Sequence, residues 1–249
     1  MLINADAKQL EWRAVVHLSG DKIGIEEINA GLDFHADNQK TFKLPSRDVS
    51  KIFLFRAIYK GSAYAYSVDP LFAHIGGERF WQGVIDKFYE KYAGIFQYHN
   101  RIISEVVDTG KLIVPDTGRT YLFEQRQVRG VFQWPVTDIC NYPVQGFSAD
   151  LMSIIRVALH TKLQEQGIIT HGPFDRTLWC NTVHDSILLD VDNQRETWYN
   201  ICIEIEKAFR NTGKNFEAIF HRPLLVPMAC DITIGNNWLH MHKVVIKGI

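Results

Sequence analysis

The sequence is short of cysteine, and its cysteines do not stand where a metal site or a disulfide framework would need them. There are four among 249 residues. None lies in a C-x-x-C pair, and no histidine pair accompanies them at zinc spacing. We therefore expect reduced thiols, as in an intracellular protein. The four are Cys140, Cys180, Cys202 and Cys230.

Long hydrophobic runs and targeting segments are also missing. No stretch approaches the roughly 18 apolar residues of a membrane-spanning helix. Near the N-terminus, Asp6, Lys8 and Glu11 interrupt the apolar run that a signal peptide would need. We expect a soluble, cytoplasmic protein that does not bind a membrane. Repeats, low-complexity tracts and long linkers are absent as well.

Charge of one sign is not in excess, because the formal net charge is −1. Many nucleic-acid-binding domains are basic, so this value argues mildly against such a partner. The objection is limited, since a basic face beside an acidic metal site also sums to near zero. The chain does have 46% hydrophobic and 12% aromatic residues. This content argues against disorder and is enough for a sizeable core.

The residue patterns predict helices interleaved with hairpins and no regular β-α-β units, so the expected fold class is α+β. Ser46 is a candidate N-cap. The apolar run over 178–191 is interrupted at 184–186, which indicates two strands and a tight turn. The segment 19–40 is predicted to be a loop. Helices are predicted over 9–18, 46–59, 78–107, 146–166 and 195–211, and strands over 1–5, 111–114, 120–123 and 224–234.

Two aspartates stand beside apolar β-structure. Asp6 ends the first predicted strand, and Asp185 lies in the turn of the predicted 178–191 hairpin. A carboxylate there is costly to bury unless it is paired or binds a metal. Mg²⁺ prefers one or two carboxylates together with waters and substrate phosphates. The alternative is that both are ordinary strand-end and turn residues, and spacing alone does not decide between the two.

Four residues recur at every fourth position of the helix that follows Ser46. They form one slowly winding stripe, since each step of four passes a full turn by about 40°. Cations occupy its first turns and aromatics its later turns, which suits a triphosphate at one end and a stacked base at the other. The alternative is a surface helix with solvated cations and packed rings. The four are Arg47, Lys51, Phe55 and Tyr59.

Six short segments carry polar residues at fixed spacings. They are Asp6-Ala7-Lys8-Gln9-Leu10-Glu11-Trp12-Arg13 with His17-Leu18-Ser19; Asp33-Phe34-His35; the four-residue stripe; Asn141, Gln145, Gly146, Ala149 and Asp150; Val183-His184-Asp185; and Gly235-Asn236-Asn237-Trp238. In this order and spacing they resemble motifs A, B and C and the accompanying segments of family-A DNA polymerases. The resemblance covers nearly the whole chain.

The resemblance implies the metal-binding palm and the fingers of a polymerase, an antiparallel sheet with helices plus a helical subdomain. The palm would comprise 1–34 and 111–249, and the fingers 35–110. Asp6 and Asp185, with the Ala7 carbonyl, would hold two Mg²⁺ ions, for which Mn²⁺ is an alternative. One ion would activate the primer 3′-hydroxyl, and the other would bind the triphosphate and stabilise the leaving pyrophosphate. The partners implied are dNTPs and primer–template DNA.

The resemblance also implies a role for each matching residue. Lys51 would protonate the pyrophosphate, and Glu11 would exclude a 2′-hydroxyl and so select deoxynucleotides. A surface glutamate is the alternative reading of Glu11. The nucleotide-binding residues would be Glu11, His35, Arg47, Lys51, Phe55 and Tyr59. The residues that touch the duplex or the primer end would be Gln9, Arg13, Asn141, Gln145 and His184.

Four positions depart from the family pattern. Ser186 replaces a glutamate of motif C, which puts the strength of the metal site in question. Lys8 replaces a serine, and Lys60 replaces a glycine. Thr137 stands where a DNA-contacting arginine is common. These departures bear on fidelity and DNA affinity more than on the type of reaction.

Motif A begins almost at Met1, whereas the family carries a thumb, part of the palm and often an exonuclease before it. We expect a split polymerase, in which a second polypeptide supplies the thumb, the remaining palm and a 3′–5′ exonuclease. A phage-type replication protein is a reasonable source. A truncated version of a longer chain is the rival explanation.

Two other functions compete with DNA polymerisation. Single-subunit RNA polymerases share the His184-Asp185-Ser186 pattern but usually have glycine at the Glu11 position, and they lack the Gln145-Gly146 segment. A non-catalytic subunit that binds DNA or clasps a partner is the second rival. Retention of both aspartates and both phosphate-binding cations argues against that reading.

Overall fold

The computed structural model describes residues 1–170 and 177–246. Within these ranges the chain forms ten helices and nine strands, a mixture that confirms the α+β class. In chain order they are β1 (Leu2–Ala7), α1 (Leu10–Ser19), α2 (Lys22–Asn29), α3 (Phe34–Thr41), α4 (Arg47–Ala57), α5 (Ala63–Val68), α6 (Glu78–Lys91), α7 (Ala93–Thr109), β2 (Lys111–Ile113), β3 (Thr120–Leu122), β4 (Arg126–Val128), β5 (Val131–Gln133), α8 (Val136–Glu165), β6 (Leu178–Val183), β7 (Ser186–Asp190), α9 (Arg195–Arg210), α10 (Thr212–Phe220), β8 (Cys230–Gly235) and β9 (His242–Val244).

The chain divides into two compact units. The sheet unit comprises residues 1–10 and 147–249, and the helical unit comprises residues 11–146. The helix α8 begins in the helical unit and ends in the sheet unit. The expected palm and fingers boundaries at 34/35 and 110/111 describe polymerase subdomains and stay a prediction.

The sheet unit is built on a five-stranded antiparallel sheet in the order β6-β7-β1-β8-β9. Alternate residues of β1 are buried on one face, where Ile3 and Ala5 are fully covered. Neighbouring strands add Ile187 and Leu189, and α9 packs against β1 and β8. The opposite face of β1 carries Leu2 and Asn4, which are half-buried, as period-two alternation requires. That face includes Asp6.

The helical unit has an aromatic core between α4, α5 and α6. Phe53, Tyr66 and Trp81 are fully buried, and the Trp81 ring stacks on both of the others at centroid distances of 5.9 and 5.2 Å. Phe72 meets the Trp81 ring edge-on at 5.1 Å. Such pairs add to the free energy of burial by about 0.5–1.5 kcal/mol each. This core fixes α4, the helix that carries the predicted stripe of cations and aromatics.

The amphipathic stretch predicted as one helix over 78–107 is two helices, so that prediction is wrong. The break is at Tyr92, whose backbone is non-helical (φ −109°, ψ 64°). Its hydroxyl donates to Glu27 at 2.8 Å and accepts from Asn38 at 2.7 Å. The N–H of Gly94 donates to the carboxylate of Asp21 at 2.8 Å, and a side chain at 94 would collide with Asp21. These contacts come from distant residues, so a local rhythm does not reveal the break.

Other predicted elements are confirmed with shifted ends. Ser46 caps α4 by accepting a hydrogen bond from the Val49 N–H at 3.2 Å. The hairpins over 111–123 and 178–191 both form.

The predicted loop over 19–40 is wrong, because Asp21 and Asp33 cap two short helices there. The helix predicted from 146 begins ten residues earlier, and the last predicted strand begins at Cys230 instead of 224.

Within residues 1–170 and 177–246, no helix has both the length and the apolar character needed to cross a membrane.

Candidate functional site

Asp6 lies in the centre of the sheet, near the end of β1. It faces Ser186 of β7 on one side and Asp231 of β8 on the other. Residues directly opposite one another in an antiparallel pair project from the same face. The strand was expected to end at Asp6 but continues to Ala7. Asp6 is exposed, on the face of β1 opposite to the buried Ile3 and Ala5.

Asp185 is brought beside this end of β1 by the turn between β6 and β7. Val183 pairs with Ser186, which leaves a two-residue turn, and His184 adopts a left-handed backbone (φ 57°). The Ser186 hydroxyl donates to the Val183 carbonyl at 3.0 Å. The Ala7 N–H donates to the Asp185 carbonyl at 2.9 Å, which ties the turn to the strand that carries Asp6.

The donor atoms at this edge of the sheet suit a hard divalent cation. Two carboxylates and the main chain of Ala7 offer oxygen, which Mg²⁺ prefers, and Mg²⁺ fills its other positions with water and substrate phosphate. In the part of the chain that the structure describes, no group of three or more His, Cys, Asp and Glu side chains forms a metal cage. The donor set therefore fits an ion held jointly with a bound phosphate.

Asp231 is a third acid on this face, and the sequence reasoning missed it. It opposes Asp6, and it pairs with Lys8 at 3.2 Å and Lys243 at 2.6 Å. Partial burial raises the pKa of Asp231, but the hydrogen bonds and charges of Lys243 and Lys8 outweigh this and leave the pKa below its usual value. The sequence does contain a signal for Asp231. Residues alternate between the two faces of β8, so Asp231 lies on the face opposite to its apolar neighbours in the strand.

In the helical unit, α3 and α4 gather four predicted nucleotide-binding residues. Arg47 and Lys51 are exposed and lie on the first turns of α4, and Phe55 follows on the same stripe. The His35 ring lies 5.8 Å from the Phe55 ring, and the His35 carbonyl accepts from the Ser50 hydroxyl at 2.9 Å. Three of the four residues of the predicted stripe therefore lie on α4, with His35 beside them. Tyr59 lies beyond the end of the helix at Ala57, so the predicted extension of this helix to residue 59 is wrong.

His35 is neutral at physiological pH. Burial, followed by the positive charges of Arg47 and Lys51, lowers the pKa of His35 to about 4, although Asp33 acts in the opposite direction. Its Nδ1 is buried and has no hydrogen-bond partner within the described residues. Arg47 pairs with Asp33 at 2.9 Å. An anion on this face would find two cations and an unused ring nitrogen.

Three predicted residues meet in a second cluster of the helical unit. The Gln145 side-chain amide donates to the Glu11 carboxylate and lies 2.8 Å from the Tyr59 hydroxyl. Burial and the neighbouring Glu11 charge raise the pKa of Tyr59. The sequence assigned Gln145 to DNA and the other two to the nucleotide. The structure places all three in one hydrogen-bonded group.

The remaining predicted residues lie in α1, in α8 and in the short connections that follow β1 and β6. Gln9 has a left-handed backbone (φ 52°) immediately before α1, and His184 shares the turn with Asp185. Arg13 is buried in α1, and burial lowers its pKa. In α8, the Oδ1 atom of Asn141 is buried and has no hydrogen-bond partner in the described ranges.

Comparison with known proteins identifies the family. The DNA polymerase family A model matches residues 1–240. The chain belongs to DNA polymerase family A. The DNA polymerase I of Chloroflexus aurantiacus is 28% identical over 252 residues, which cover 96% of this chain and 24% of the relative. The DNA polymerase I of Pseudomonas aeruginosa is 28% identical, and the match covers 97% of this chain and 25% of the relative. The thermostable DNA polymerase I of Thermus aquaticus is 25% identical, and the match covers 96% of this chain and 27% of the relative.

The fold agrees with that of a solved polymerase domain. The POL domain of Pol1 from M. smegmatis, in complex with DNA primer-template and dNTP, matches with a TM-score of 0.74 at 20% identity. The match covers 95% of this chain and 40% of that chain. The chain spans about a quarter of the length of the three DNA polymerase I relatives named above.

Proposed function

We propose that this chain is the catalytic part of a DNA-directed DNA polymerase, which adds dNTPs to a primer 3′-hydroxyl. The observation that carries the proposal is the meeting of Asp6 and Asp185 at one edge of the sheet, held by the Ala7–Asp185 hydrogen bond. The proposal is supported by the family-A match and by a second, cationic and aromatic face on α4.

Asp6 and Asp185, with the Ala7 carbonyl, would hold two Mg²⁺ ions, for which Mn²⁺ is an alternative. The ions would supply activation of the 3′-hydroxyl and neutralisation of the triphosphate charge. Asp231 is already neutralised by two lysines, so it does not compete for the cations. Ser186 brings a hydroxyl, bonded to Val183, where many family members have a third carboxylate. This site would therefore rely on two acids.

The α3–α4 face would bind the incoming nucleotide. Arg47 and Lys51 would pair with phosphate oxygens, and His35, neutral at pH 7, would donate a hydrogen bond from a ring nitrogen. Lys51 would also give a proton to the departing pyrophosphate. Phe55 and Tyr59 would flank the new base pair. Glu11, held by Gln145, would stand against the 2′ position of the sugar.

The primer–template would be held by residues around these two sites. Gln9 and His184 lie at backbone positions next to the metal-binding acids. Arg13, Asn141 and Gln145 lie on α1 and α8. The buried Oδ1 atom of Asn141 would accept a hydrogen bond from the duplex.

We also propose that a second polypeptide supplies a thumb, further palm and a 3′–5′ exonuclease. The support is the edge of the described sheet, where β6 lies with Leu178 and Val183 exposed. Edge strands of this kind are usually covered.

Primer extension tests both parts of this proposal. The chain would be assayed with Mg²⁺ and dNTPs, first alone and then with the protein encoded beside it. Extension that needs the neighbour would support the split assembly. Processive extension by the monomeric chain would contradict the need for a second polypeptide while leaving the polymerase activity intact.

An RNA-polymerase-like activity is the second candidate, because His184-Asp185-Ser186 follows the pattern of those enzymes. Glu11, which is held by hydrogen bonding near Tyr59, favours deoxynucleotides instead. Parallel reactions with dNTPs and rNTPs decide between the two, and preferential incorporation of rNTPs would contradict the DNA polymerase proposal.

A further inference from the structure

The β4–β5 hairpin, residues 126–133, is a second feature with the chemistry of a nucleic-acid contact. It is a separate two-stranded sheet of the described chain. Every one of its strand residues is exposed, including Phe132 at 64%, Val131 at 58% and Val128 at 47%. Residues 125–134 contain two arginines, three glutamines and no acid. The hairpin itself therefore carries positive charge without an acid of its own.

The hairpin tip presents a cation in a strained conformation. Val128 pairs with Val131, so the turn consists of Arg129 and Gly130, with φ values of 50° and 83°. Two positive φ values are typical of a type I′ turn, in which the first position favours Asn, Asp or Gly. A long side chain with left-handed φ costs on the order of 1 kcal/mol or more. Arg129 forms no ion pair with the residues that the structure describes.

The hairpin is tied to the face of α8 that carries the residues proposed to bind DNA. Arg126 pairs with Asp138 in the first turn of α8 at 2.8 Å and stays 63% exposed. Asp138, Asn141 and Gln145 follow at i, i+3 and i+7, which places them on one face of the helix. The hairpin therefore anchors at the N-terminal end of that face. Thr137, where the family commonly has a DNA-contacting arginine, lies in the same turn.

We infer that the β4–β5 hairpin binds the phosphodiester backbone of the primer–template, with Arg129 as the phosphate contact and Phe132 as an apolar contact to sugar or base. The inference deepens the proposed function and rests on it, because the DNA is the polymerase substrate. Arg129 would supply a cation close to the turn that has Thr137 in place of an arginine. The exposed glutamines add donors and acceptors for the sugar–phosphate chain.

The test is the salt dependence of DNA binding by the full 249-residue chain. Binding of fluorescent primer–template, blunt duplex and single-stranded DNA would be followed by anisotropy between about 50 and 200 mM salt. The first variant is Arg129→Asn, which removes the cation and creates the Asn-Gly pair that this turn favours. The second is Phe132→Thr, which keeps a residue typical of strands. Lys87→Gln removes an exposed cation on α6 as the matched control.

Arg129→Asn is expected to weaken binding about five- to tenfold and to reduce the slope of log K against log salt by about 0.7–0.9. Phe132→Thr is expected to weaken binding with the slope unchanged, and Lys87→Gln to bind as the wild type does. A loss confined to single-stranded DNA would assign the contact to the template overhang. A loss with blunt duplex as well would assign it to the paired region.

Unchanged affinity and slope in Arg129→Asn would overturn the inference, as would absence of DNA binding by the wild-type chain. A hairpin that contacts a protein instead of DNA would give the first of these results. Failure of the proposed function has a different signature. If primer extension is absent both from the chain alone and from the chain with its neighbour, while binding still depends on Arg129, the polymerase proposal fails and the hairpin is a DNA contact without that activity.

Discussion

Gly146 shows how a single residue in α8 is determined by a neighbour far away in the sequence. A side chain at this position would overlap the hydroxyl of Tyr121 in β3 and crowd Arg119. The family segment that begins at Asn141 and includes Gln145-Gly146 therefore has a steric reason for its glycine in this chain. The close approach also keeps Gln145, one residue earlier, in reach of Glu11.

Gly146→Ala is expected to destabilise the protein by about 1–3 kcal/mol, because the added methyl group forces Tyr121 or the helix to move. Tyr121→Phe in the same chain removes the oxygen that is overlapped and is expected to restore part of this loss. Urea unfolding of the two single variants and the double variant measures the coupling. Strictly additive effects of the two changes would contradict the steric account.

Glu11→Ala is expected to relax sugar selection. The carboxylate is held by Gln145 beside Tyr59, and removing it opens space for a 2′-hydroxyl. A pocket contact of this kind discriminates by about 1–3 kcal/mol, so rNTP incorporation relative to dNTP would rise roughly 10- to 100-fold. Single-nucleotide incorporation with matched dNTP and rNTP measures the ratio. An unchanged ratio would favour the reading of Glu11 as an ordinary helix residue.

At the residue scale, the sequence pointed to the acids, cations and aromatics of the candidate site, but it did not reveal all the side chains that contact them. The four-residue spacing predicted one stripe on a helix, and α4 carries the first three members, whereas Tyr59 lies beyond its end. The neighbours of Asp6 could not be predicted, because Asp231 reaches it through a strand register 225 positions away along the chain. Likewise, the hydrogen bond between Gln145 and Glu11 joins α8 to α1, and no local pattern encodes such a contact.

At the scale of elements, α4 begins where its capping residue predicts. Ser46 accepts from the Val49 N–H, and Asp48 adds a favourable charge to the first turn. Elements of this kind carry their signal within a few residues. By contrast, α8 contains Pro143, which usually marks a helix start, yet it extends seven residues further towards the N-terminus. Buried Ile139 and Cys140 pack there with Tyr98 and Ile102, and this tertiary packing stabilises the additional turns.

Ser46→Ala is expected to lower the free energy of unfolding by about 1 kcal/mol, since one N–H at the start of α4 loses its acceptor. Fraying of this turn also displaces Arg47, so the KM for dNTP is expected to rise. The control is Ser104→Ala, an exposed residue within α7. Equal stability of the two variants in urea would show that the cap contributes nothing measurable.

The β4–β5 hairpin shows why short exposed elements are hard to predict from sequence. Its strands have three residues each and are exposed on both faces, so they show no apolar alternation. The turn uses Arg129-Gly130, which is not among the pairs that usually mark a hairpin. Prediction from sequence therefore works for elements with a buried face and fails for those that are held by a few contacts.

At the scale of the whole molecule, the buried residue His99 makes the stability of the folded chain depend on pH. His99 is fully buried, its Nε2 donates to the Ile58 carbonyl at 3.0 Å, and its Nδ1 accepts from the Tyr89 hydroxyl at 3.1 Å. Burial, followed by the charge of Lys60, lowers the pKa of His99 to about 3. The unfolded chain, with a pKa of about 6.5, binds more protons than the folded chain between these values, so stability falls as the pH drops below about 6.5.

Between pH 7 and pH 5 this histidine is expected to reduce the free energy of unfolding by about 2 kcal/mol. His99→Gln keeps a donor and an acceptor but does not titrate. The free energy of unfolding of this variant is therefore expected to fall by about 2 kcal/mol less than that of the wild type between pH 7 and pH 5. His74→Gln, at an exposed position, is the control. Urea unfolding at the two pH values gives the difference, and an identical loss in His99→Gln and the wild type would contradict the assignment.

The fold class and the family were predictable for the whole molecule, because both depend on patterns repeated along the chain. Six spaced segments resemble the family, and the match to DNA polymerase family A extends over residues 1–240. The division into two compact units, with the first ten residues joined to the sheet unit, follows from strand pairing over long distances. Periodicity does not contain that information.

The most direct test of the central claim is single-nucleotide extension of a primer–template by the active assembly that contains this chain. Asp6→Ala and Asp185→Ala are each expected to reduce the rate by about 10²–10³-fold, which corresponds to several kcal/mol of lost transition-state stabilisation. Asp190→Ala, at the far end of β7 in a surface ion pair with Met1, is expected to extend primers at nearly the wild-type rate. Wild-type rates in Asp6→Ala and Asp185→Ala would contradict the account.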